Sequence, residues 1–338
     1  MSNIDQGARA RSDEDLEQLL SRASPRPMPS ESDEVAVRDA VRAEWQVVSG
    51  RQRSRRRIAG FAIAATVLVA VFSIFSVFRP PVADVVQVAT IQKEFGSIYL
   101  LAETSELRET EELSRVLAGQ TIVTGGEAGM ALAWGAGGSL RMDANSRVRF
   151  VDTSSIRLES GRVYFDSRPS PLMAGISSGG APDLLIVSEH GEVTHVGTQF
   201  MTQVDDRELT VSVREGQVIV DGQYQKYLAS SGEQVTMAGR GQPIVLSISA
   251  TAAAWDWVSR TSPVTDVEGK SLHEFLLWVC RETGLEYRYE GGAEETARHE
   301  AFLHGKVDAE PLEALKSRLA TAALTSRIAE GVIIVSDQ

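Results

Sequence analysis

The chain has 338 residues, of which 43% are hydrophobic and 24% charged, with a formal net charge of −12. That composition is globular rather than disordered, and the length implies two or three domains. An acidic body argues against a nucleic-acid-binding surface, and one cysteine, Cys280, excludes an internal disulfide framework.

Residues 1–57 hold eleven Arg against ten Asp or Glu, so the acidic excess lies entirely after residue 57. This tail carries two short helical patterns. Ser12 precedes an acidic first turn, where the helix dipole favours carboxylates, and Leu16, Leu19 and Leu20 then share one face. Pro25, Pro27 and Pro29 break the chain. A second helix is expected to start near Ser32, with Val37, Val41, Trp45 and Val48 on one stripe and Gly50 at its end. Two such stripes cannot bury much core. The expectation is a partner-binding face built from Leu16, Leu19, Leu20, Val41 and Trp45. The alternative is a tail that stays loosely folded on its own.

Ile58 to Phe78 is an uncharged run of 21 residues. At about 1.5 Å per residue it reaches roughly 30 Å as a helix, the thickness of a bilayer core, and predicts one transmembrane helix over 58–78. The 57 residues before it and the lack of a small-residue cleavage site after it argue against a cleaved signal. Arg51, Arg53, Arg55, Arg56 and Arg57 crowd its N-terminal flank, whereas only Arg79 touches the other. Basic flanks stay inside, so the tail over 1–57 is expected in the cytoplasm and everything after the span outside. The same arginines suit contact with anionic lipid.

From Val85 to about Ile248 the pattern has period two. Leu140 and Met142 alternate with Ser139, Arg141 and Asp143; Leu209, Val211 and Val213 alternate with Thr210, Ser212 and Arg214. Turn signals such as Asn145-Ser146, Glu215-Gly216 and Ser231-Gly232 punctuate these runs. Many short strands with one buried face predict a mainly β domain over 85–250, of solenoid, sandwich or barrel type. Ser271-Leu272-His273-Glu274 then forms a capping box before a helix that ends near Gly284. A strand over Leu285–Tyr289, a strand over Phe302–Val307, a helix over Pro311–Ala322 and strands over Leu324–Ile328 and Val332–Val335 complete a small α+β domain at 262–338.

Enzyme chemistry is hard to find. The chain has no P-loop, no paired-cysteine motif and no G-x-S-x-G, and Gly135-Ala136-Gly137-Gly138 precedes no helix. His190 and His195 lie at no known metal-ligand spacing. The reading is a non-enzyme without metal or cofactor, and Cys280 reads as a small buried hydrophobe.

The β region resembles the periplasmic domain of the FecR family. Gly138 to Ser167 is similar to that family's run of short strands ending in a G-x-x-Y-F/V-D motif, and Val196-Gly197-Thr198-Gln199-Phe200 to its G-T-x-F motif. Leu209–Val220 resembles the strand pair closed by Glu-Gly, and Ser231-Gly232-Glu233-Gln234 the x-G-E-x turn that follows. Ser271-Leu272 and Pro311-Leu312 resemble the helix starts of the short secretin and TonB N-terminal fold. The tail departs from the family's longer, Trp-rich cytoplasmic domain. The resemblance implies an inner-membrane regulator whose periplasmic part contacts a TonB-dependent outer-membrane receptor. Its cytoplasmic part would bind an extracytoplasmic-function sigma factor, as an anti-sigma or activating segment. The alternative is an envelope scaffold with no sigma-factor role. Some relatives process themselves at a Gly-Thr step. The matching residues, Gly197 and Thr198, are the expected self-cleavage site, with His195 near enough in sequence to transfer a proton. The competing reading of Thr198 is an ordinary strand residue after a turn.

Overall fold

The computed structural model describes residues 21, 30–43, 86–101, 107–109, 113–135, 138–168, 172 and 184–338. The chain divides into two compact units, Met1–Val82 and Ala83–Gln338.

In the first unit, helix α1 spans 31–43. Ser30 caps it: its hydroxyl accepts from the Asp33 amide at 3.3 Å and donates to the Asp33 carboxylate at 2.7 Å. Val37 and Val41 lie exposed on α1. Leu16, Leu19, Leu20 and Trp45, the Arg51–Arg57 cluster and the expected span Ile58–Phe78 lie outside the described residues. Among the described residues no helix is long and apolar enough to cross a membrane.

The second unit begins with fifteen strands in one continuous sheet: β1 (Gln87–Phe95), β2 (Ile98–Leu101), β3 (Leu107–Glu109), β4 (Arg115–Leu117), β5 (Thr121–Thr124), β6 (Gly129–Trp134), β7 (Gly138–Met142), β8 (Arg147–Phe150), β9 (Ser155–Asp166), β10 (Leu185–Ser188), β11 (Gly191–Val204), β12 (Leu209–Gly222), β13 (Lys226–Ser230), β14 (Glu233–Met237) and β15 (Ile244–Ser247). The pairings are antiparallel except for β9 with β10. Alternation places Val148, Phe150, Ile156 and Leu158 inside and Arg149 and Arg157 outside, as period two requires.

Three long strands bend at glycines. Gly161 in β9, Gly197 in β11 and Gly216 in β12 have φ of +90°, +60° and +83°, conformations that residues with a Cβ rarely adopt. Each bend changes the partners. Before Gly161, β9 pairs with β8 and β10; after it, with β7 and β11. β12 runs from β14 to β13 across Gly216. One core cluster receives side chains from both arms, including Val193 and Phe200 of β11 and Val213 and Val218 of β12. The sheet thus folds over its own core in the manner of a sandwich. It does not close into a barrel.

After the sheet come a 3-10 turn at Ala253–Trp255 and helix α2 (Asp256–Arg260). Then follow β16 (Thr265–Asp266), α3 (Leu272–Thr283), β17 (Glu286–Tyr289), β18 (Lys306–Val307), α4 (Pro311–Thr321), β19 (Leu324–Ala329) and β20 (Val332–Asp337). α3 has the expected capping box between Ser271 and Glu274 and ends on Gly284 at φ +73°. Phe302–Val307 is less regular than its alternation suggests: Phe302 makes one bridge to Ser271, Gly305 turns at φ +81°, and only Lys306 and Val307 pair, with β16. Val267, Phe275, Trp278, Leu315 and Ile333 fill a second core between α3, α4 and the β17–β20–β19 sheet.

Candidate functional site

The bend at Gly197-Thr198 is the centre of the site. Thr198 is 1% exposed and its Oγ1 has no hydrogen-bond partner among the described residues. Its amide donates to Ser167 Oγ at 2.7 Å, and its carbonyl accepts from the Ser167 amide at 3.0 Å. The facing bend of β12 holds it from the other side. A Cβ at Gly216 would lie 2.6 Å from the Gly197 carbonyl oxygen and 2.6 Å from Thr198 Cγ2, so the two backbones touch only because that residue is glycine. The His195 ring lies against Phe165 and Phe200, with centroids at 4.9 and 5.8 Å.

Gln199, the next residue, points to an ionic network. Its Nε2 donates to Asp166 Oδ2 at 3.0 Å and to the Arg281 carbonyl at 3.3 Å. Arg281, on α3, donates from Nε to Asp166 at 2.8 Å, pairs with it again through Nη2, and reaches Glu215 at 3.3 Å. One residue further along α3, Glu282 accepts from Arg141 on β7 in a two-pronged pair at 2.6 and 2.9 Å. Arg141 is 1% exposed and also donates to the Val258 carbonyl at 2.7 Å. Arg214 donates to the Glu282 carbonyl at 3.1 Å and lies 4.4 Å from the Trp255 ring centroid.

Electrostatics follow from this placement. Burial works against the charge on Arg141, but the attraction and hydrogen bonds of Glu282 outweigh it and raise its pKa. Arg281 is raised in the same way, against burial, by Asp166. Burial dominates at Arg214 and lowers it. Tyr164 is raised, first by burial and then by the Asp166 charge, so it stays a neutral phenol. Cys280, on α3, is pushed by burial up to about 12, which makes it a poor nucleophile at neutral pH.

The network covers one outer face of the sheet. Arg141, Tyr164, Met201 and Ser212 stand directly opposite one another across β7, β9, β11 and β12. Trp255, Trp257 and Val258 pack on Tyr164 and Met201. Beside this contact lies a cavity of about 530 Å³ lined by Gly138, Arg141, Asp166, Arg168, Trp278 and Glu282 among others. Of the residues expected from sequence, Gly197 and Thr198 are at this site and Val41 is on α1. The buried network itself was not anticipated. Arg141, Tyr164, Asp166 and Arg214 occupy the polar positions of alternating strands, which read as solvent-facing; the signal that something covers them is the pair Trp255 and Trp257 just after the sheet.

Residues 120–219 match the family described as FecR protein. That stretch runs from β5 to β12 and contains the Gly197-Thr198 bend, so a FecR domain forms the centre of the β structure. No curated protein matches the chain. Two solved structures of a protein from Parabacteroides distasonis, provisionally described as an anti-sigma factor, are similar at 15% and 14% identity with TM-scores of 0.34 and 0.33. Each covers 64% of this chain, and 99% and 98% of their own.

Proposed function

We propose that this chain is a FecR-type regulator of a sigma factor. The observation that carries this reading is the FecR domain over 120–219. The uncharged run Ile58–Phe78 crosses the bacterial inner membrane, Arg51–Arg57 hold the tail inside, and the β and α+β structure lies in the periplasm. There it receives a TonB-dependent outer-membrane receptor, and the tail engages an extracytoplasmic-function sigma factor. The test is capture of an extracytoplasmic-function sigma factor from the same organism by the full-length protein. Trp45→Ala should weaken it by roughly 2 kcal/mol or more, as loss of a buried aromatic anchor does. Equal capture by both forms rules out the tail face.

Self-cleavage at Gly197-Thr198 belongs to the same reading, supported by the left-handed Gly197 and by the buried Thr198 Oγ1, which has no hydrogen-bond partner among the described residues. The hydroxyl attacks the Gly197 carbonyl carbon; a C–O bond forms, the C–N bond breaks, and the hydroxyl proton passes to the departing Thr198 nitrogen, which Ser167 holds. Water then hydrolyses the ester, leaving a Gly197 carboxylate and a free Thr198 amine. Mass spectrometry of protein made in the cell envelope should find a fragment starting at Thr198, absent from Thr198→Ala. An intact wild-type chain excludes the reaction.

A further inference from the structure

The outer surface of the β structure has two parts, and only one is covered. Trp255, Trp257 and α3 cover the arms of β9 and β11 that follow their bends. The arms before those bends, together with the arm of β12 after Gly216, face outward. Residues directly opposite across strands lie on the same side of a sheet. The register therefore sets Arg149, Arg157, Val187, Glu192, Asp221 and Lys226 in one row across β8 to β13. All except the half-buried Val187 are exposed. Two residues along each strand, on the same side, Leu185, Thr194, Ile219 and Leu228 stand opposite one another in turn, with Leu228 51% exposed; beyond Thr194, Val196 is 65% exposed.

The charges in this row are arranged against the stability of a lone molecule. Arg149 stands directly opposite Arg157, and Glu192 directly opposite Asp221. Like charges so placed are destabilising. Neither arginine nor Glu192 makes an ion pair among the described residues, while Asp221 has Lys226 at 3.0 Å. Read outward from Val187, the row runs through Arg157 and Arg149 on one side, and through Glu192, Asp221 and then Lys226 on the other. A twofold axis parallel to the strands and over Val187 reverses that order. It lays Arg157 against Glu192 of a second copy and Arg149 against Asp221, and sets Leu185, on the axis strand, against its own copy. We propose that two copies of this chain pair through this face. The contact is isologous, as closed dimers require, and every charge in the like-charged pairs meets its opposite. An anionic lipid or polymer fits less well, because Glu192 lies only about 10 Å, two strand spacings, from Arg157 and repels it. This inference is independent of any sigma-factor role.

Full-length chain carrying Val187→Cys, treated in cell envelopes with a short thiol-to-thiol cross-linker, should give a covalent dimer that the parent chain, with Cys280 alone, does not. Arg149→Glu with Arg157→Glu should reduce that dimer by about tenfold or more, and Glu192→Arg with Asp221→Arg should do the same. Co-expressed with different tags, the two reversed chains should cross-link to each other, since positions 149, 157, 192 and 221 are then all acidic in one chain and all basic in the other. Absence of the dimer, indifference to either reversal, or failure of the mixed pair would overturn the proposal. Sensitivity to the arginine reversal alone, without rescue, would identify an anionic ligand instead and overturn it equally.

Discussion

Arg141 shows how far a residue's surroundings depart from what its neighbours in sequence imply. It alternates with Leu140 and Met142 as an outward residue should, yet it is 1% exposed because α3 brings Glu282 over it. Removing one member of a buried pair leaves the other charged and unpaired, which costs about 3–5 kcal/mol; replacing both with apolar groups of similar volume is close to neutral. Arg141→Ala should therefore lower stability in denaturant unfolding by an amount in that range, and Arg141→Met with Glu282→Leu should recover most of it. Equal losses in the single and double variants would show that packing, not charge, sets the cost. The Gly197-Thr198 step was legible in sequence as a motif. Its setting was not: the close approach of Gly216 joins residues nineteen positions apart across a bend that local pattern does not encode.

At the scale of elements, local chemistry was the better guide. The Ser271–Glu274 capping box, the helix it starts and the Gly284 stop all appear as the sequence implies, because each depends on neighbours within one turn. The short helix α2 and the broken stretch from Phe302 to Val307 were missed, since two aromatic anchors and a turning Gly305 outweigh alternation there. The cap has a measurable consequence. The Ser271 amide bonds the Glu274 carboxylate and, with the Ser271 hydroxyl and Lys270, holds its pKa below the usual value. A carboxylate depressed in the folded state contributes stability that is complete above its unfolded pKa and is lost as pH falls through the folded one. Ser271→Ala should cost about 1 kcal/mol at neutral pH, and less once acid has protonated Glu274. A loss that stays constant down through the carboxylate range would mean that the hydroxyl acts without the Glu274 charge.

At the scale of the whole molecule, sequence reading divides residues 85–338 at about residue 250 into a β domain and an α+β domain, as if either could be removed. The structure joins them within one compact unit, Ala83–Gln338, through Arg141–Glu282, Arg281–Asp166 and Arg281–Glu215. Trp255 and Trp257, just before the second part, lie on the outer face of the first. Ending the chain after Ser262 would keep both tryptophans but remove α3, and with it the oppositely charged partners of buried Arg141 and Asp166. Uncompensated charge in a low-dielectric setting is among the largest single destabilising effects known in folded proteins. The shortened chain should therefore unfold at lower denaturant than the full chain when the β core is followed through Trp134, which is 0% exposed. It should recover when Arg141→Met and Asp166→Asn remove the stranded charges. An unchanged midpoint would mean that the β structure is independent of α3, and that a signal arriving on the C-terminal part could not reach the Gly197-Thr198 bend through Arg281 and Gln199.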